Sequence, residues 1–140
     1  DLYAAPVEQV HEILAATPVS RMPHAPRGML GIIDVRGHGV PLMDLRTLLG
    51  LPSGEDDAAT RIVVLDLGRG GSPKRVALKS DRVFEVMSFD DDALEPPPEG
   101  CGSEAEGVVL GVGRRNGAFV TLLDFDSLLG DVLATHVQGR

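Results

Sequence analysis

The sequence predicts a mainly β protein made of two related halves. Seventeen glycines and ten prolines among 140 residues indicate many turns, which favour short strands over long helices. The chain has no Trp, four Phe and one Tyr, so Val, Leu, Ile and Ala must build its core. The third observation is an internal repeat, since residues 110–130 align with residues 30–50 without a gap. A chain of this length suits one domain, or two small barrels that share a core.

The first copy of the repeat is predicted to be a strand, a tight turn, a second strand and a short helix. Residues 30–35 are apolar and rich in β-branched side chains, as in a buried strand. Residues 36–39 supply two glycines that can adopt positive φ in a hairpin turn, and residues 40–43 return as the second strand. Asp44 is the expected N-cap of the helix, which ends at Gly50.

The second copy repeats the residues that specify this shape. They are turn glycines, a helix cap and apolar core candidates, so we infer a structural duplication. The nine residues found again 80 positions later are Leu30, Gly31, Gly37, Val40, Leu42, Asp44, Leu48, Leu49 and Gly50.

A second match, at an offset of 73 residues, relates residues 3–14 to residues 76–87. Three residues recur identically in it: Ala4, Val10 and Glu12. Helical periodicity could also describe residues 7–14, but the later copy fits a strand better, so both copies are predicted as strand, kink, strand. Residues 61–67 form the cleanest predicted strand. No equivalent strand precedes Tyr3, so we expect either that it was lost or that another segment or molecule takes its place.

Polar residues divide the chain in the prediction. Residues 51–60 are a polar linker, which gives subdomains 1–58 and 59–140, the latter with a C-terminal extension. Residues 90–107 are acidic, contain three consecutive prolines and are predicted to be a solvated loop.

Charge and composition argue against several classes of partner and cofactor. The net charge of −8 disfavours nucleic acid and anionic membranes as partners. No apolar run approaches the roughly 20 residues that span a bilayer, so direct membrane insertion is not expected. Cys101 is the single cysteine, and the four histidines lack the spacing of a metal site. We therefore predict no catalytic residue, no metal and no cofactor.

The motifs now described resemble the CheW-like domain family of bacterial chemotaxis. The segment that carries the resemblance reads Pro26…Leu30-Gly31-Ile32-Ile33-Asp34-Val35-Arg36-Gly37…Val40-Pro41-Leu42-Met43-Asp44-Leu45-Arg46. It is similar to the family pattern G-V-x-N-x-R-G…P-V-x-D-L-R, with Asp34 where Asn is usual. The resemblance covers essentially residues 1–140 as a single domain.

The resemblance implies two SH3-like five-stranded β-barrel subdomains that share a hydrophobic interface and carry short helices. It implies no catalysis. Such a domain is an adaptor in the cytoplasm that couples the cytoplasmic tip of a methyl-accepting chemoreceptor to the regulatory domain of the histidine kinase CheA in receptor arrays. The alternatives are a CheW-like regulatory domain within a larger signalling protein and, further from the pattern, a small enzyme.

Arg36 is the centre of the predicted partner-binding site. Its counterpart in the second copy is Asn116, so the fold does not require arginine there. By resemblance, Arg36 matches a family arginine implicated in receptor coupling, and Glu12 matches the glutamate thought to pair with it. The alternatives are a solvated turn charge for Arg36 and a structural role for Glu12, because Glu85 repeats it. The other predicted site residues are Val10, Asp34, Gly37 and His38, and core packing is the alternative for Val10.

Overall fold

The computed structural model describes residues 2–52, 54–68, 74–83, 94–97 and 107–129. The strands and helices in these residues are β1 (Leu2–Ala4), β2 (Val10–Leu14), β3 (Met29–Val35), β4 (His38–Asp44), α1 (Leu45–Leu48), β5 (Arg61–Leu67), β6 (Lys74–Ser80), β7 (Val109–Arg115), β8 (Ala118–Leu123) and α2 (Phe125–Leu128). The chain is therefore mainly β with short helices, as predicted.

Contacts divide the chain into two compact units. The first unit is Glu8–Phe84, and the second combines Asp1–Val7 with Glu85–Arg140. Their sheets have the strand orders β2-β5-β6-β4-β3 and β1-β8-β7, respectively. This division differs from the predicted boundary after residue 58, because β6 pairs in parallel with β4 of the first unit and β1 pairs in parallel with β8 of the second.

Each unit contains a hairpin with a two-residue turn. Both turn residues have positive φ, at 51° and 87° for Arg36 and Gly37, and at 52° and 82° for Asn116 and Gly117. This is the pattern of a type I′ turn, whose twist matches that of the flanking strands. The turn is shorter than predicted, because His38 and the residue after it belong to β4.

The two hairpins also share their register. In the first, a bulge separates the Met29–Met43 pair from the pair formed by Gly31 and Leu42. The second hairpin has the same bulge and the same pairs 80 residues later. The parallel pairings agree as well, since Leu42 lies opposite Ala77 whereas Leu122 lies opposite Ala4. The described strands do not form a closed barrel, because β2 and β3 are the unpaired edges of the five-stranded sheet.

The connections agree with the prediction where they are described. A 3₁₀ turn at Val7–Gln9 is the predicted kink between β1 and β2, and the predicted strand at Arg61–Leu67 is present. Among the described residues β1 pairs only with β8. The second half of the later strand–kink–strand, most of the acidic loop and the C-terminal extension lie outside the described residues.

The core of the first unit forms where its strands face one another. Its seven buried members are Ile33, Val35, Val40, Leu42, Ile62, Val64 and Ala77. Directly after β4, the Asp44 carboxylate accepts a hydrogen bond from the Arg46 backbone N–H, and the Asp124 carboxylate accepts one from the Ser127 N–H. Both predicted N-caps are thus confirmed, and neither aspartate needs a catalytic explanation.

Candidate partner-binding site

Arg36 occupies a backbone conformation that arginine rarely adopts. Its φ of 51° lies in the left-handed region, where Asn is enriched among the non-glycine residues. The second hairpin has the favoured residue, Asn116, at the same position with a φ of 52°. Because the same turn forms with asparagine, backbone preference does not explain Arg36. An unfavoured conformation of this kind points to a role for the side chain.

Glu12 receives the Arg36 side chain. The Arg36 Nε donates to Glu12 Oε1 and its Nη2 donates to Oε2, both at 3.1 Å. This two-point pairing fixes the plane of the guanidinium, which a single hydrogen bond would not. The side chain of Glu12 is 17% exposed and that of Arg36 is 76% exposed. The carboxylate is therefore sheltered within the first unit, while much of the guanidinium faces solvent.

Three further charged residues extend this pair along the sheet. The Arg75 Nε donates to Asp66 Oδ1 at 2.9 Å, and His11 Nδ1 lies 3.3 Å from Asp66 Oδ2. His11 Nε2 lies 3.7 Å from Glu12 Oε1, which links the two groups. The sequence analysis missed this network. The available signal was the β5–β6 hairpin, whose register places Asp66 directly opposite Arg75.

The environment of Glu12 favours its ionised form. The hydrogen bonds from Arg36 hold the pKa of Glu12 below its usual value, partial burial opposes them, and the positive charge of Arg36 adds to the lowering. The same hydrogen bonds raise the pKa of Arg36. Both partners are therefore charged at neutral pH.

Replacing Arg36 with asparagine is expected to raise the pKa of Glu12 towards its ordinary value of 4.5. In the wild type the folded-state pKa is the lower one, so the pair stabilises the fold above the unfolded-state pKa and loses this effect as pH falls through the folded-state pKa. An NMR titration of the Glu12 carboxyl carbon measures the shift. Arg46→Gln is the control, because Arg46 pairs with Asp81 instead. An unchanged Glu12 titration in Arg36→Asn would show that the pair does not form in solution.

The remaining predicted site residues have different surroundings. The Asp34 Oδ1 accepts the Gly37 backbone N–H at 2.7 Å, so Asp34 stabilises the turn itself and the fold does account for it. Gly37 provides the positive φ that the turn needs. His38 is exposed at the start of β4, and Val10 is half-buried opposite Leu65 of β5. The structure thus brings Glu12 to the Arg36 turn and leaves both interpretations of Val10 open.

Two further observations concern what the described residues lack. Within them, His, Cys, Asp and Glu form no group of three or more that could hold a metal ion. No helix in the part of the chain that the structure describes is long and apolar enough to cross a membrane.

These features define the class first: a mainly β chain of two units, whose hairpin and capped one-turn helix occur twice in one register. The model of the CheW-like domain matches residues 1–133, and the chain belongs to the CheW-like domain family. The resemblance stated from the sequence motifs is therefore confirmed.

Several proteins of known name are similar to this chain. It is 29% identical to the probable chemotaxis protein CheW of Rhizobium etli over 89% of this chain and 78% of that protein. It is 30% identical to protein FrzA of Myxococcus xanthus, over 89% of this chain and 76% of FrzA. The crystal structure of the scaffolding protein TtCheW from Thermoanaerobacter tengcongensis matches with a TM-score of 0.74 and 24% identity, over 87% of this chain and 80% of TtCheW. This last match supports the fold.

Proposed function

We propose that this chain is a non-enzymatic adaptor that couples the cytoplasmic tips of chemoreceptors to the regulatory domain of a CheA-type histidine kinase. The observation that carries the proposal is the exposed guanidinium of Arg36, which Glu12 orients from a turn that does not need arginine. Membership of the CheW-like family and the chemotaxis names of the relatives support the pathway.

The chemistry of the Arg36 turn suits recognition of another protein. Glu12 accepts two of the five guanidinium N–H donors, which leaves three for a carboxylate or a backbone carbonyl of a partner. Because Glu12 already fixes the guanidinium, less side-chain entropy is lost when the partner binds. Glu12 therefore acts as a positioning residue, and Arg36 makes the contact.

We also propose that each unit is one SH3-like barrel of a duplicated pair. The matching registers of the two hairpins and of their parallel strands support the duplication. In the first unit, the Glu12–Arg36 pair joins the edge strand β2 to the turn between β3 and β4. Such a link between the two ends of the five-stranded sheet is what closure of a barrel would require.

Titration calorimetry with the regulatory domain of the cognate CheA-type kinase tests the proposed function. We expect saturable binding, and a rise in kinase activity when receptor-bearing membranes are added to the kinase together with this chain. Met22→Ser is a suitable control, because Met22 is an exposed apolar residue of a loop away from the Arg36 turn. If wild-type protein neither binds the kinase domain nor changes kinase activity, the proposed function is wrong.

A further inference from the structure

The outer face of the three-stranded sheet carries an exposed aromatic residue. Phe119 of β8 is 60% exposed, and Tyr3 of β1 is 39% exposed. The register places Tyr3 and Val112 on either side of Thr121, which points to the same face as Phe119 two residues earlier. Tyr3, Val112, Arg114, Phe119 and Thr121 together form the surface that we call the Phe119 face.

The fold does not require this surface. The position equivalent to Phe119 in the first unit is Gly39, which forms the same strand without any side chain. The residue opposite Gly39 is Asp34, whereas the residue opposite Phe119 is Arg114. The two hairpins share a backbone and present opposite charge at this pair. The difference therefore concerns what each hairpin displays to solvent.

Arg114 is held in place on this face. Its guanidinium carbon lies 4.1 Å from the centroid of the Phe119 ring, which is the geometry of a cation–π contact. Its Nη1 also donates to the carbonyl oxygen of Gly117 at 3.2 Å. Within the described residues, no carboxylate forms an ion pair with Arg114. The result is an oriented cation beside an apolar ring, with donors still available.

The charge around Arg114 differs from that of the whole chain. The net charge is −8, yet residues 107–123 contain two arginines and neither Asp nor Glu. The Phe119 face is therefore a cationic and apolar surface on an acidic protein. Charge complementarity selects a partner whose carboxylates lie next to apolar side chains.

We propose that the Phe119 face docks an acidic amphipathic segment of another protein. A carboxylate of that segment pairs with Arg114, and the neighbouring apolar side chains cover Phe119 and Tyr3. This site belongs to the second unit, is separate from the Arg36 turn, and does not depend on the proposed coupling role. An exposed aromatic residue beside arginine has the composition of a binding hot spot.

Fluorescence anisotropy with three labelled synthetic peptides tests the proposal. The peptides share one leucine pattern and carry glutamate, glutamine or lysine at the intervening positions. We expect the full chain to bind the glutamate peptide at least about tenfold more tightly than the other two, which corresponds to about 1.4 kcal/mol. Equal affinity for the three peptides, or no binding of the glutamate peptide, would overturn the proposal.

Variants show whether this binding occurs on the Phe119 face. Phe119→Thr keeps a good strand former and is expected to weaken the glutamate peptide about tenfold. Arg114→Glu is expected to reverse the preference towards the lysine peptide. Met22→Ser and Arg36→Asn should bind like the wild type, which separates this site from the coupling site. Wild-type affinity in Phe119→Thr, with its circular dichroism spectrum retained, would contradict the assignment.

Discussion

Replacing Gly31 with alanine is expected to destabilise the first unit severely. Gly31 has a φ of 151°, a region that is essentially restricted to glycine. A Cβ added there would lie 2.3 Å from the carbonyl oxygen of Ser20 and 2.8 Å from a methyl carbon of Val19. The Ser20 carbonyl cannot move away freely, because it accepts the Ile32 N–H at 2.8 Å and thereby holds the preceding loop against β3.

The size of this effect follows from two separate costs. A residue forced into a glycine region costs about 1–3 kcal/mol, and overpacking adds about 1–3 kcal/mol. Their sum is a large share of the roughly 5–15 kcal/mol by which a domain is stable. Urea unfolding followed by circular dichroism measures the loss.

Gly111→Ala is the matched control, because Gly111 occupies the equivalent position of the second hairpin. Its added Cβ would lie 3.1 Å from the Glu95 carbonyl oxygen, and its φ is not in the left-handed region. The expected loss is therefore clearly smaller than for Gly31→Ala. Equal losses in the two variants would show that the close approach of Ser20 to Gly31 is not present in solution.

Replacing Arg36 with asparagine is expected to weaken kinase binding at least about tenfold while the fold stays intact. Asparagine tolerates the left-handed conformation better than arginine does, and Asn116 already serves in the equivalent turn. Loss of the ion pair with Glu12 costs little stability, because Arg36 is 76% exposed. Calorimetric titration gives the affinity, and thermal unfolding shows whether the fold is retained.

Arg46→Gln separates the loss of Arg36 from the loss of any ion pair. Arg46 pairs with Asp81 through its Nε at 2.7 Å and 2.9 Å, in the same unit of the chain. This variant is expected to bind the kinase domain like the wild type. Arg36→Lys keeps the charge but not the planar two-point geometry, and it should fall between wild type and Arg36→Asn. A uniform loss of affinity in Arg46→Gln and Arg36→Asn would assign the effect to general electrostatics.

Local chemistry explains which parts of the fold the sequence predicted well. The turn glycines, the capping aspartates and the alternation of apolar residues act over a few positions, so Asp44 and Asp124 were interpreted correctly. The pairing of β1 with β8 depends on residues more than 110 positions apart, which no local pattern encodes. The two repeat offsets did contain it, because together they relate the Ala77–Leu42 pair to the Ala4–Leu122 pair.

The candidate site was predicted only in part for a similar reason. Comparison of the copies showed that the fold does not need Arg36, and the structure adds the pairing with Glu12. The same comparison left Asp34 unexplained, because a hydrogen bond to the Gly37 N–H is visible only in three dimensions. Phe119 was overlooked, since a strand pattern does not show which apolar residues stay exposed.

The central claim is that a partner uses Arg36, and that the Glu12–Arg36 pair is more than a link within the fold. Exchanging the two charges, in the double variant Glu12→Arg with Arg36→Glu, tests this most directly. The exchange keeps an ion pair across the same strands but presents a carboxylate where the partner meets a guanidinium. We predict a melting temperature close to that of the wild type and loss of kinase-domain binding in calorimetric titration. Wild-type affinity in the exchanged variant would contradict the claim.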